Sequence, residues 1–108
     1  MKHFHKEGLT IGKAGQTDFI EWNNVVRIQA DSNYSRIFLS NGKTLFLATV
    51  LKEFEIILDQ QVFIRPHKTH LVNPSFIQSF IKGAHASLLL SNGESIPVSR
   101  NKRKLMRA

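Results

Sequence analysis

Short runs of β-favouring apolar residues, set apart by Gly, Asn, Asp and Ser, recur along most of this chain and predict a β-rich fold. Leu9-Thr10-Ile11 and Asp18-Phe19-Ile20-Glu21-Trp22 are β-favouring runs separated by Gly12 and Gly15, giving two short strands and a turn. Residues 25–30 predict a third strand, and Asp31-Ser32-Asn33 marks the turn after it, because short polar side chains bond to nearby backbone. Residues 34–39 and 43–47 flank Ser40-Asn41-Gly42, and Asn-Gly between such runs is a strong hairpin signal. The device recurs where residues 86–90 and 95–98 flank Asn92-Gly93, so Leu-Ser-Asn-Gly stands at 39–42 and again at 90–93. The segments between do not match, which indicates a reused turn and no solenoid repeat.

One segment has helical period: Val50, Leu51, Phe54, Ile57 and Leu58 share a face at 3.6 residues per turn, predicting a helix over residues 49–58 with Thr49 as its cap. Asp59-Gln60-Gln61 ends it. Pro74-Ser75 turns the chain into a further strand over residues 76–81. About nine strands and one helix result, a mainly β domain. Residues 1–8 show no periodicity and read as a linker or domain edge, leaving residues 9–108 as the domain.

The stretch Phe63-Ile64-Arg65-Pro66-His67-Lys68-Thr69-His70-Leu71-Val72-Asn73 changes character twice. Apolar ends enclose cations, two histidines and a hydroxyl, and Pro66 lacks an amide donor and has a fixed φ, which rules out a helix. A strand running into an exposed loop is expected, with Lys68 and Thr69 outward. Trp22, Phe38, Phe46, Phe54 and Phe63 are expected in the core.

Composition bounds the classes. A chain of 108 residues suits one domain, and with 42% hydrophobic and 21% charged residues it is neither a disordered tail nor a membrane protein. No apolar run approaches the ~18 residues of a spanning helix. Cysteine is absent, which excludes disulfide frameworks, and no secretory signal opens the chain, so a reducing, cytoplasmic setting is expected. The net charge of +7 is unevenly placed: residues 1–59 carry seven Lys/Arg against seven acids, whereas residues 60–108 carry eight against Glu94 alone. Such an excess draws polyanions.

The order of elements and motifs resembles the LytTR-type DNA-binding domain of bacterial response regulators. The resemblance runs from about Ile20 onward. It rests on Val25-Val26-Arg27-Ile28-Gln29-Ala30 followed by Asn33-Tyr34, the Asn41-Gly42 hairpin, Leu51-Lys52-Glu53-Phe54, the 63–73 stretch, Ile77, and Asn92-Gly93 leading to Ile96-Pro97-Val98-Ser99-Arg100. It implies an elongated, mostly antiparallel β domain of about nine or ten short strands with one short helix. That domain reads double-stranded DNA through loops, with protomers on promoter repeats, so a homodimer on DNA is an expected assembly. No receiver or sensor domain lies within the chain, which is then a stand-alone module or an excised C-terminal half. In the contact stretch Lys68 replaces the family's more common Arg, Thr69 its Ser and His70 its aromatic. A lysine lacks the planar fork for a bidentate grip on guanine.

The expected DNA contacts are Asn33 and Tyr34 in the first loop, His67, Lys68 and Thr69 in the second, and Arg100, Asn101, Lys102 and Arg103 after the last strand. Lys68 and Arg100 are expected at base edges, since Arg to guanine is the commonest specific contact. Lys102, Arg103, Lys104 and Thr69 are expected to position the backbone. A metal pair at His67 and His70 is not expected, because a spacing of three in extended chain puts them on opposite faces and no further ligand is near. No cofactor or catalytic set is expected: paired carboxylates, a Ser/His/Asp set and a phosphate loop are all missing. The rival reading is a β module for RNA or an acidic protein, against which the inward-facing aromatics argue.

Overall fold

The computed structural model describes residues 2–58 and 63–102, and within them eleven strands and one α-helix. A three-stranded meander comes first: β1 (Lys2–Phe4), β2 (Gly8–Lys13) and β3 (Gln16–Glu21), all antiparallel. β1 is a strand where the periodicity has none. Three residues on a sheet edge carry little pattern, yet Lys2 pairs with Ile11, Phe4 packs into the main core, and the Trp22 indole N–H donates to the His5 carbonyl at 3.0 Å. Residues 2–8 thus pair and pack with the meander and the main core.

The central sheet has five antiparallel strands in the order β6 (Thr44–Leu47), β5 (Tyr34–Leu39), β4 (Val25–Asp31), β8 (His70–Val72), β7 (Ile64–His67). Val25 joins one core and Val26 the other by ordinary alternation, and the bulge between Val25 and Arg27 lets Val25 and Ile28, three positions apart, share the same core. On one face the meander and α1 (Leu51–Ile57) bury Leu9, Trp22, Ile28, Ile37, Phe54 and Leu71. On the other lies a small sheet, β9 (Ile77–Ile81), β10 (Ser87–Leu90) and β11 (Ser95–Pro97), burying Val72, Leu88, Leu90 and Ile96. The extents are 49 × 24 × 23 Å, an elongated body of three layers.

The helix is shorter than its periodicity. Val50 is its cap residue and is exposed, and Thr49 Oγ1 caps nothing; it is buried without a hydrogen-bond partner among the described residues, while the Thr49 carbonyl accepts from Ser35 Oγ. The expected stop at Asp59-Gln60-Gln61 lies outside the described residues. Phe46 is also not in the core. Its register partner is Arg36, both on the open face of the sheet, and it is 58% exposed beneath that guanidinium. Phe19 and Tyr34 are exposed too, so not every aromatic looks inward.

The second sheet is pinned by an ion pair. Arg27, nearly buried, donates from Nε and Nη2 to the two oxygens of Glu94 at 3.1 and 2.8 Å, reaches Gln29 with Nη1 and lies over Phe38. The hydrogen bonds from Arg27 hold the Glu94 carboxyl below its ordinary pKa. Asn73 locks the start of the second sheet from below, donating to the Val25 carbonyl and accepting from the Ser75 amide.

Candidate nucleic-acid interface

The 63–73 stretch folds tighter than its polarity suggests. Strand β7 continues through Pro66 to His67, and only Lys68 and Thr69 form the turn before β8. Proline is tolerated there because β7 is an edge strand with a bulge between Ile64 and His67. The open edge is not left bare. The Ser99 amide donates to the Pro66 carbonyl at 2.9 Å, with Ser99 Oγ 3.3 Å from the same oxygen, so the chain leaving β11 docks beside the turn. Ser99 is half-buried by this docking, while Ile96 and Val98 face the core as strand alternation requires.

Docking brings Asn101 and Lys102 into one cleft with Lys68, and Arg100 into a neighbouring one. The Lys102 amide donates to the Ser99 carbonyl at 3.0 Å, closing a single helical turn, and Ser99 Oγ is 2.7 Å from Asn101 Oδ1. Arg100, Asn101 and Lys68 are exposed and Lys102 half-buried. Two open clefts meet at His67. One, of about 410 Å³, is lined by Lys68, Lys102, Arg65 and Glu55; the other, of about 460 Å³, by Arg100 and His85.

The turn between β4 and β5 lies at the same end of the sheet, since the Ala30 amide donates to the Thr69 carbonyl at 2.9 Å. Asn33 and Tyr34 are exposed there, and Ser32 adopts φ +57°, in the left-handed region that closes the turn. Three surface loops from residues 32–34, 67–69 and 99–102 therefore share one end of the molecule. Arg103 and Lys104 lie outside the described residues.

Thr69 and the histidines differ from expectation. The rings of His67 and His70 are 5.9 Å apart on the same side, where the pairing of His67 with His70 across the hairpin brings them together. Thr69 Oγ1 sits between them, 2.9 Å from His67 Nδ1 and 2.8 Å from His70 Nδ1, and the Thr69 amide donates to His67 Nδ1 at 3.2 Å. Taking that amide hydrogen, His67 Nδ1 acts as an acceptor in the network. Thr69 is thus a strut inside the hairpin and not an outward group. Burial, then the nearby charges of Arg27 and His67, lower the His70 pKa to about 4, so it is neutral at ordinary pH.

Arg65, His85 and Ser99 were missed by sequence reasoning. Arg65 reads as one more outward cation; His85 sits in a Gly-containing loop whose path the sequence does not fix; Ser99 reads as one more alternating residue. Only the tertiary path brings them to the clefts at this end.

A three-layered β fold with basic loops gathered at one end is the frame of a DNA-reading module, and the chain belongs to the LytTr DNA-binding domain family, whose model matches residues 15–108. It is a DNA-binding domain of the kind found in transcription regulators. Among curated proteins it is similar to the CO-responsive transcriptional regulator RcoM of Rhodospirillum rubrum, 29% identical over 95 residues, covering 85% of this chain and 40% of that protein. The heme-containing CO-sensing transcriptional regulator RcoM 2 of Paraburkholderia xenovorans is 28% identical, covering 87% and 36%. The chain thus spans well under half of these relatives. Among solved structures, the LytTr DNA-binding domain of a putative methyl-accepting/DNA response regulator from Bacillus cereus superposes with a TM-score of 0.78 over 95% of both chains at 24% identity, a likeness of fold.

Proposed function

We propose that this domain binds double-stranded DNA sequence-specifically as the output module of a bacterial transcription regulator, through the end bearing the three loops. Lys68 and Arg100 reach base edges; Asn33, Tyr34, His67, Asn101, Lys102 and Arg103 orient the domain on the backbone and groove walls, and Thr69 acts by bracing the two histidines. The observation that carries the reading is the docking of Ser99 on Pro66, which sets Asn101 and Lys102 in one cleft with Lys68 and Arg100 in the cleft next to it. Several cations converging from two chain segments fit a phosphate-lined groove, while an exposed arginine at the rim suits a bidentate grip on guanine. The setting is cytoplasmic, and protomers pair on promoter repeats.

Two exposed aromatics on the open sheet face, Tyr34 and Phe46, favour single-stranded nucleic acid as the second reading. Competition of duplex against single strands for the same protein separates the two. Duplex should win, and log K should fall with log salt at a slope of roughly −4 to −5 if four to six phosphates are neutralised. A slope shallower than about −1, or preference for the single strand, overturns the proposal.

A further inference from the structure

Arg65 differs from the other basic residues of the contact stretch by being turned inward. Its side chain is 22% exposed, and its Nε is buried without a hydrogen-bond partner among the described residues. Nη1 donates to Glu55 Oε1 on α1 at 2.8 Å, and Nη2 donates to the Lys68 carbonyl at 2.7 Å. One guanidinium therefore ties the helix to the peptide that carries the proposed DNA-reading lysine. The bulge in β7 interrupts the regular ladder just before this turn, so the turn is held from outside its own hairpin. Ala30 holds Thr69, Ser99 holds Pro66, and Arg65 holds Lys68 itself.

We propose that Arg65 and Glu55 form a positioning pair for DNA reading: they touch no DNA, and they set the height and direction from which Lys68 leaves the backbone. The proposal rests on the reading of Lys68 as a DNA contact. Two acceptors, a carboxylate and a carbonyl, are met by one planar fork, a geometry that an ammonium does not reproduce. Charge-assisted bonds of this kind are the strong ones, so their loss frees the turn to sample orientations in which Lys68 misses its target.

The electrostatics make the test sharp, because Glu55 lines the cleft that also holds Lys68 and Lys102. If the pair were a bystander, Glu55→Ala would remove an acid from a basic site and raise affinity for every duplex alike. As a positioning residue, Glu55→Ala lowers affinity for the preferred duplex roughly tenfold, the loss expected for one charged hydrogen bond, while binding to a scrambled duplex stays level or rises. Arg65→Met, which keeps the buried stem, lowers the ratio of the two affinities by a similar factor, and Arg65→Lys does not restore it.

The measurement uses the full chain, a duplex selected from a random pool by the wild type, a scrambled duplex of the same composition, and thermal unfolding of each variant. Should Arg65→Met fail to fold, Glu55→Ala decides, since Glu55 lies outside the buried core with its side chain 42% exposed. A wild type that does not discriminate the two duplexes overturns the reading of Lys68 on which the pair depends. A discriminating wild type whose Glu55→Ala variant keeps the full ratio, or loses only thermal stability, overturns the positioning pair alone.

Discussion

The two Leu-Ser-Asn-Gly turns and the Lys68-Thr69 turn close hairpins of the same molecule by different means. At 39–42 and 90–93 the bonds repeat one for one: Gly42 donates to the Leu39 carbonyl and Gly93 to the Leu90 carbonyl, at 3.0 and 2.9 Å. Asn41 and Asn92 accept from the amides of Lys43 and Glu94, at 2.9 Å in both cases. Both glycines sit at positive φ, +88° and +91°. The bonds that close these turns lie within five residues, and each turn has one backbone anchor farther off, Ser40 on the Asn24 carbonyl at 2.9 Å and Ser91 on the Phe76 carbonyl at 2.8 Å. The Lys68-Thr69 turn is held by Ala30, Glu55 through Arg65, and Ser99, partners up to 39 positions away. A turn that only reverses the chain can be built locally, whereas one that aims a side chain is braced from several directions.

The largest expected effect falls on the aimed side of this contrast. Arg100→Ala should cost specific DNA affinity about 1–3 kcal/mol with scrambled-duplex binding and thermal stability nearly unchanged, and Arg100→Lys should rescue little. Titrations against both duplexes at one salt concentration check this; equal losses on the two make Arg100 a phosphate contact.

Acid should next distinguish the turns. His70 braces the aimed turn with a pKa held at about 4, below the 6.5 of a free histidine, so between those values the unfolded chain takes up the proton more readily. Stability is therefore full above pH ~6.5 and declines as pH falls toward 4, by about 2 kcal/mol once partial exposure is allowed for. Glu94, in the second Asn-Gly turn, acts in a lower window: its depressed pKa contributes stability above 4.5 that is lost as pH drops through the folded value. Denaturant unfolding at a series of pH values reads both, and a His70→Asn variant with an unchanged profile between pH 6.5 and 4 refutes the assignment.

Gly93→Val should cost roughly 1–2 kcal/mol of stability, because a branched side chain is strained at φ +91°, and should leave the ratio of specific to scrambled affinity intact. A changed ratio would mean that the local turn also aims the site. The smallest effect is Lys102→Gln, which should weaken all duplexes alike and reduce the salt slope by about one. Lys13→Gln, at a residue paired with Asp18 in the meander at 2.8 Å, should do neither.

This contrast also explains what could be read before the structure. β-favouring runs located the strands from β2 onward other than β8, which reads as the return of a loop, and Asn-Gly located two hairpins, since each signal is carried by neighbours in the chain. The 3.6 period found the helix, though its start was misjudged, because Thr49 is consumed by packing and not by capping. Phe46 alternates like a core residue, and only its register with Arg36 reveals that the face is open. β1 has no pattern because an edge strand of three residues buries little. The loops that carry the proposed contacts were recognisable by residue type, but their convergence was not. It depends on Ser99 meeting Pro66 across 33 positions, and no periodicity records such a meeting.

The Ser99 to Pro66 bond has a kinetic consequence. Local hairpins close early in folding, whereas a contact across so long a loop must wait for the loop-closure entropy to be met. The general attraction of the chain for polyanions, set by a net charge of +7, needs no fold at all and is present from the first collapsed state. Discrimination among sequences, as proposed here, arises only when the segment after β11 seats on the edge of β7. Specific and non-specific binding would then appear at different times during refolding, and the interval between them would time the last step of the fold.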